Sequence, residues 1–563
     1  MMNRVTWSIV AIAVAGALPS GQERTAPRFY RDDPLTHVVD TQDASTVQPR
    51  DLSLYYDAII NLFGRPGKRE VLRAASVNTI DEVPDSSWFT NRVASRPMTA
   101  NEIARGPNDD HGPTAGKWLV HRKANGVSPG FTIDDPRGRR YFIKFDPPGY
   151  PELGTATEVI VTRLFHALGY HVPQTSIATL RPEDLEIAAD AQVRTPGGGR
   201  RPMHRSDIEE QLSRAHRNVD GTYRMVASEG LPGPLEGFKY EGTRSDDPND
   251  VIPHEDRREL RALRVFSAWM NHTDAKAINS LDTLVTENGR AFVRHHLIDF
   301  NAALGSAGIG PRDRRDGYEY VAETGPAWKA LPAFGFAIRP WMTIDYPRYR
   351  GVGRFESARF IPEEWRPRVP NPAYVRSRAD DTFWGARKLM AMSNNLIRAA
   401  VEAGQLADPE AEKYLGDALI ERRDKIGRAW LTAVNPIVEP ALGADGTLTF
   451  QNAAVAHNFA AAPRGYAAVW HIYDNDSGSA TRLGETESQG MQLRAPSIPP
   501  SAQFIRVDIR AVDPATTALA SWSLPVHAYF RRAGTAWELV GFNRMPDAPP
   551  MRPGLVGAEP VRR

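Results

Sequence analysis

Between Lys117 and Leu168 the chain spells three short strands joined by tight turns and then a helix, and few folds follow from that order. Lys117-Trp-Leu-Val-His-Arg-Lys123 reads as a strand, Ala124-Asn-Gly126-Val-Ser-Pro-Gly130 as a flexible turn, and Phe131-Thr-Ile133 as a second strand. Asp135-Pro-Arg-Gly138 has the chemistry of a tight turn. Arg139-Arg-Tyr-Phe-Ile-Lys144-Phe145 then alternates as a third strand. After Gly149 and Gly154, Thr155 to Leu168 reads as a helix closed by Gly169. A lysine that ends an otherwise apolar strand needs an anionic partner, so Lys144 calls for a carboxylate or a phosphate beside it.

The second constraint is His272-Thr-Asp274-Ala-Lys276-Ala-Ile-Asn279, followed by Leu297-Ile-Asp299-Phe300. Phosphoryl transfer from ATP asks for a carboxylate that orients the acceptor hydroxyl, a cation near the migrating group, and an oxygen pair for magnesium. On this reading Asp274 orients the acceptor, Lys276 offsets developing charge, and Asn279 with Asp299 holds the metal. Asp and Asn are also turn and helix-end residues, so the reading rests on the set and not on either residue alone.

The D-x-K-x-x-N spacing, the His two residues before its Asp, and D-F after a hydrophobic strand resemble protein kinases. Thr273 stands where many protein kinases carry Arg, and Asn301 where the D-F-G glycine would be. These departures turn the resemblance toward the atypical branch: HipA-type toxin kinases, secretory-pathway kinases of the Golgi, and spore-coat kinases. The run Ala156-Thr-Glu158-Val-Ile-Val-Thr-Arg-Leu-Phe-His-Ala-Leu-Gly-Tyr-His-Val-Pro173 is especially similar to the secretory and HipA-type enzymes. The resemblance covers roughly residues 116–435. It implies an α+β chain with a two-lobed kinase-like domain, ATP and Mg²⁺ or Mn²⁺ as cofactors, and a hydroxyl of a protein, peptide or glycan as acceptor. Gly126 and Gly130 would cover the phosphates, Lys144 would reach them, and Glu158 would pair with Lys144. Thr155-x-x-Glu158 is equally a capping box, so Glu158 has two roles open to it. Adenylylation on the same fold and a catalytically inactive, envelope-binding pseudokinase are the alternatives.

Gly126-Val-Ser128-Pro-Gly130 also fits the nucleophile elbow G-x-S-x-G. That elbow needs an N–H on the residue after Ser and a helix beyond it; here Pro129 has no N–H and a strand follows. The hydrolase reading fails on chemistry. Gly197-Gly-Gly199 beside Arg200 and Arg201 reads as a solvated loop.

The 69 basic residues nearly balance the 68 acidic ones, for a net charge of +1. Such a chain offers no overall field for nucleic acid or anionic membrane. Arg4, the apolar run Trp7 to Leu18 and the small residues Ala15-Gly-Ala17 form a signal peptide over residues 1–21. The run is too short to span a bilayer as a mature helix. With 0 cysteines, disulfides are excluded, and the expected compartment is a bacterial periplasm or the exterior.

Residues 22–115 are expected to pack on the kinase-like body, with Val83 to Phe89 as an ordered aromatic loop. The kinase-like domain runs over 116–435, its small lobe to about residue 250. Ser206 to Ala215 reads there as a polar helix, with Tyr223–Ser228 and Gly237–Gly242 as strands. Leu260, Leu263, Val265, Phe266 and Trp269 recur at helical spacing, and two helices are expected over 381–403 and 409–434. Past Asn435-Pro436, short alternating segments at turn-rich intervals read as a β-sandwich over 436–545, with a disordered tail over 546–563.

Overall fold

The computed structural model describes residues 27–546 except 51, 54, 56–58, 65–69, 125, 196–197 and 322–338. The run read as a signal peptide, Gly197 and the tail beyond 546 lie outside the described residues. No helix among the described residues is long and apolar enough to cross a membrane.

The three strands ahead of the helix form as Trp118–Lys123, Gly130–Asp134 and Arg140–Phe145. They pair antiparallel, with Val120 opposite Ile133 and Gly130 opposite Lys144. Gly130 is required there, because a Cβ would lie 2.1 Å from the Ile143 carbonyl oxygen. Tyr223–Glu229 and Thr175–Leu180 extend the sheet past Arg140–Phe145, and Leu185–Ile187 joins the other edge in parallel, giving six strands. Val120, Ile133, Tyr141, Ile143 and Met225 bury one face beneath the helix Arg205–Ser213, through its Ile208 and Leu212. Side chains alternate along a strand, so Phe142 and Lys144 project from the opposite face.

The next helix spans Leu153–Leu168, two residues earlier than the sequence pattern suggests. Thr155 is not its cap. Asp146 caps it instead, accepting from the amides of Glu152 (2.9 Å), Gly154 (2.8 Å) and Thr155 (2.8 Å) and from Thr155 Oγ1 (2.8 Å). A carboxylate at a helix N-terminus satisfies orphan amides and meets the positive end of the dipole. The Thr155–Glu158 capping box is therefore overturned, and Glu158 is released for other contacts. Gly169 ends the helix at φ +121°, where a Cβ would strike the Phe89 ring at 2.3 Å.

Gly237 to Gly242 does not form the expected strand. The Phe238 amide donates to Ser280 Oγ at 2.9 Å and the Ser280 hydroxyl returns a bond to the Phe238 carbonyl at 3.2 Å. Side-chain pairing thus replaces a ladder, and Phe238 and Tyr240 sink into the core.

The helix Arg258–Met270 buries every side chain but Arg264 to below a tenth exposure. Its apolar stripe was legible in the sequence, but its arginines are buried too. Arg258 reaches Asp81 (2.8 Å), Asp381 (3.0 Å) and Asp380 (3.2 Å), and Arg261 reaches Asp256 (2.7 Å) and Asp381 (3.3 Å). These pairs clamp the helix to Ala379–Met390 and to the N-terminal segment. The single helix expected over 381–403 is two, Ala379–Met390 and Asn394–Glu402. Ser393 breaks the run by accepting from the Leu396 amide at 3.3 Å, which starts the second helix. Pro409–Trp430 follows.

Beyond Asn435 lie a three-stranded and a five-stranded antiparallel sheet. Ile437, Leu448, Trp470 and Trp522 from this region belong to the same apolar cluster as Trp269, Trp384 and Leu419. The core therefore continues across the Asn435-Pro436 junction. Asn435 is itself buried, its Nδ2 donating to the carbonyls of Ile509 (3.1 Å) and Leu524 (2.9 Å). The chain is α+β.

Removing one partner of a buried ion pair leaves an unpaired charge and costs about 3–5 kcal/mol. Arg258→Met should lower unfolding stability by about that amount in urea titration, and Arg258→Met with Asp381→Leu should recover part of it. An unchanged midpoint in the single variant would deny the clamp.

Candidate functional site

Lys144 emerges from the sheet between two carboxylates from different elements. Its Nζ lies 2.7 Å from Asp299 Oδ1 and 3.4 Å from Glu158 Oε2. The Glu158 carboxylate, 1% exposed, also accepts the Phe300 amide at 3.0 Å. Helix position 158 thereby fixes both the lysine and the backbone that carries Asp299. Asp299 adopts φ +62°, in the left-handed region. Non-glycine residues there are uncommon and cluster where surrounding contacts over-determine the backbone.

Across the cleft, the end of the helix Arg258–Met270 turns at Asn271 (φ +48°) and delivers the 272–279 loop. Asp274 Oδ1 lies 2.5 Å from Lys276 Nζ, and Asn279 Nδ2 donates to Asp274 Oδ2 at 3.1 Å and to its carbonyl at 2.7 Å. The amide nitrogen is thus committed to Asp274, leaving Asn279 Oδ1 as the atom that could serve a cation. His272 is buried, edge-on to Phe300 (5.7 Å) and Phe165 (5.9 Å).

Asp274, Lys276, Asn279, Asp299, Lys144 and Gly126 all line one cleft of about 620 Å³. Glu158 lies behind Lys144 and off the cleft wall, as does Gly130, whose absent side chain serves strand packing. Six basic side chains (Arg122, Lys123, Lys144, Lys276, Arg312 and Arg368) face two carboxylates across this cleft. Lys123 is paired outside the lining with Glu210 (2.7 Å) and Arg312 with Asp316 (2.6 Å), so the excess of positive charge is moderate, and it suits a polyphosphate.

Three contributors escaped the sequence reading. Arg312 arrives from a segment far downstream, donating to Thr273 Oγ1 at 3.0 Å and lying 3.9 Å from Asp274 Oδ1. A guanidinium therefore stands beside Asp274 although position 273 is Thr. Asn301 Nδ2 donates to Ser128 Oγ at 2.9 Å, which fastens the glycine turn to the loop after Asp299. Asp146 caps the Glu158 helix. Asp146 alone had a local signal, an acid a few residues before a helix start; the other two pairings join segments far apart in sequence.

The electrostatics follow from these contacts. Burial disfavours the charge on Lys144, but Asp299 and then Glu158 outweigh it and hold the ammonium above its ordinary pKa. Burial raises Glu158 in spite of Lys144. For Asp274 burial also opposes ionisation, yet Lys276 and Arg312 prevail and hold the carboxyl at about 2. His272 is driven down to about 4, first by burial.

The donor set fits a hard cation with a nucleotide. Magnesium takes oxygen ligands from one or two side chains plus substrate phosphates, and Asp299 with Asn279 Oδ1 offers that number. Asp299 keeps its side chain 41% exposed, with Oδ1 on Lys144.

No family model and no curated protein sequence matches the chain. Among solved structures, a proinflammatory kinase of Helicobacter pylori, CtkA, is 11% identical over 53% of this chain and 90% of its own, with a TM-score of 0.27. The Golgi casein kinase is 11% identical over 70% of this chain and 94% of its own, at a TM-score of 0.30. The same kinase with Mn and ADP bound gives 10% identity, 70% and 94% coverage and a TM-score of 0.28. Overlap at that level is too loose to assign a role to any residue, which the local geometry must carry.

A buried histidine that is neutral when folded takes up protons on unfolding below its ordinary pKa of about 6.5. The stability due to neutral His272 is fully present above about pH 6.5 and is lost as pH falls toward its folded value of about 4. Urea unfolding of wild type and His272→Asn at pH 7, 5.5 and 4.5 checks this. The wild type should lose more stability over that range than the variant, which cannot protonate; equal losses would place His272 in solvent-like surroundings.

Proposed function

We propose that this chain is an exported, atypical kinase that transfers the γ-phosphoryl group of ATP to a hydroxyl of a protein, peptide or glycan. The reading rests on one observation above all: Lys144, held between Glu158 and Asp299, lines the same cleft as the Asp274–Lys276–Asn279 cluster. A bound divalent cation would neutralise phosphate charge, with Asp299 and Asn279 as its protein ligands.

The chain's own groups then divide the work. Lys144, fixed from behind by Glu158, positions the phosphates, and the positive cleft wall concentrates the nucleotide. Asp274 accepts a hydrogen bond from the incoming hydroxyl and aims its oxygen at the γ-phosphorus. As that P–O bond forms, the bond to the β–γ bridging oxygen breaks and ADP leaves. A carboxyl held at about 2 is a weak base, so Asp274 orients the hydroxyl and takes its proton late. This suits a loose transition state in which nucleophile deprotonation lags bond cleavage. Lys276 and Arg312 offset charge developing on the transferred group.

Export rests on the residues of the 1–21 segment, and the likeness to HipA-type kinases on the run 156–173. A transfer assay with ATP labelled at the γ or at the α position separates phosphorylation from adenylylation. Nucleotide binding with no transfer of either label would leave a nucleotide-binding pseudokinase.

Asp299→Ala should abolish magnesium-dependent nucleotide binding in calorimetry while keeping the wild-type circular dichroism. Retained magnesium dependence would move the metal elsewhere.

Positioned acid–base groups contribute roughly 10²- to 10⁴-fold in rate. Asp274→Asn, at matched nucleotide occupancy, should lose activity on that scale and still bind ATP. Equal rates would remove Asp274 from the chemistry.

A further inference from the structure

The far end of the helix that carries Glu158 is surrounded by arginines that the phosphoryl-transfer reading does not use. A cavity of about 290 Å³ opens there, lined by Arg92, Arg96, Arg105, Glu102, Asn91 and His166, with Met98 and Gly106 completing it. His166 lies eight positions after Glu158, about 12 Å along the helix axis at 1.5 Å per residue.

The charge around this cavity is poorly compensated. Arg92 Nη1 donates only to the carbonyls of His166 (2.8 Å) and Tyr170 (3.2 Å) among the described residues. Arg163, 5% exposed and packed beneath Gly106, likewise meets neutral acceptors: the carbonyls of Ala104 (2.7 Å) and Thr175 (2.9 Å), Asn108 Oδ1 (3.2 Å) and Thr175 Oγ1 (3.3 Å). The Arg105 carbonyl accepts the Asn108 amide at 3.3 Å, but its guanidinium makes no hydrogen bond or ion pair among the described residues. The single lining carboxylate, Glu102, is already taken by Arg96 at 2.6 Å and by the Thr99 amide at 2.8 Å. Among the described residues these four guanidiniums thus share Glu102 and, at longer range from Arg92, Asp85. Burial lowers Arg92 and Arg163 to about 10, and lowers His166 to about 3 with Arg92, Arg163 and Arg105 adding to it.

Arg92 is half-buried and Arg96 and Arg105 are exposed, so all three can be reached from solvent, and the planar guanidinium fork matches oxyanions in two-pronged contacts. The cavity is near the lower end of the roughly 300–1,000 Å³ of small-molecule sites, which suits a phosphate group better than a nucleotide.

We infer that this cavity is a second ligand site, separate from the cleft, which binds a phosphate-type oxyanion through Arg92, Arg96 and Arg105. The anion supplies the negative charge that the protein leaves out, and it joins the 92–105 segment to the C-terminal turn of the Glu158 helix. Free phosphate and a phosphate monoester share the recognised chemistry.

The test uses the full chain in two measurements. Crystals soaked with tungstate, a phosphate mimic, should show anomalous density in contact with Arg92 and Arg105. In calorimetry with EDTA present, inorganic phosphate and glycerol phosphate are titrated into wild type, Arg105→Gln and Arg96→Gln. Charge-assisted hydrogen bonds of about 1.5–3 kcal/mol predict a loss of about ten-fold or more in affinity for the tighter of the two anions, and the tighter one names the source. Tungstate confined to the cleft, or affinities unchanged in both variants, would overturn the site. Neither outcome bears on whether the cleft transfers phosphate.

Discussion

The structure depends on the placement of one ammonium group. Lys144 ends a strand of the six-stranded sheet, Glu158 belongs to the helix packed on that sheet, and Asp299 belongs to the loop leaving the hairpin 280–297. A lysine in that environment must find carboxylates, and satisfying it draws three elements to one point. Glu158 adds the Phe300 amide to the same knot, so the strained backbone at Asp299 is held by hydrogen bonds and by Phe300 sunk in the core.

That knot is effective because the opposite wall of the cleft is equally rigid. The 272–279 loop leaves a helix clamped by the arginine–aspartate pairs of Arg258 and Arg261, which an apolar stripe alone would hold less firmly in rotation. The N-terminal segment contributes to the same support. Trp88 stacks on His295 at 3.5 Å and 15° and receives the Arg257 guanidinium at 4.4 Å from its ring. Cation–π and aromatic contacts of this kind add about 0.5–2 kcal/mol each beyond burial.

The two cationic regions answer different needs. In the cleft, lysines and arginines stand opposite Asp274 and Asp299, an arrangement that can hold a polyphosphate and still present a carboxylate to a hydroxyl. At the far end of the Glu158 helix, arginines outnumber the acids Glu102 and Asp85. The helix between them carries Glu158 near its start and His166 near its end, so an anion at one end and a nucleotide at the other would act on the same rigid rod.

Strand and turn positions from 117 to 145 were legible in the sequence because alternation, Gly and Pro act locally. The grouping of Asp274, Lys276 and Asn279 was legible for the same reason, since the six residues 274–279 can bring three side chains together. The role of Glu158 was not: a capping box and an ion pair share one local pattern, and the choice fell to Asp146, which took the helix amides and left the carboxylate for Lys144. The contacts of Arg312 with Thr273, of Asn301 with Ser128 and of Arg258 with Asp381 were equally hidden. Each joins segments tens to more than a hundred residues apart, and no local periodicity encodes which distant charge a buried guanidinium will meet. The sequence by itself determined the elements and the chemical inventory of the cleft. Only the tertiary structure decided which charges pair, because buried charge must be neutralised by whatever the packed core brings within reach.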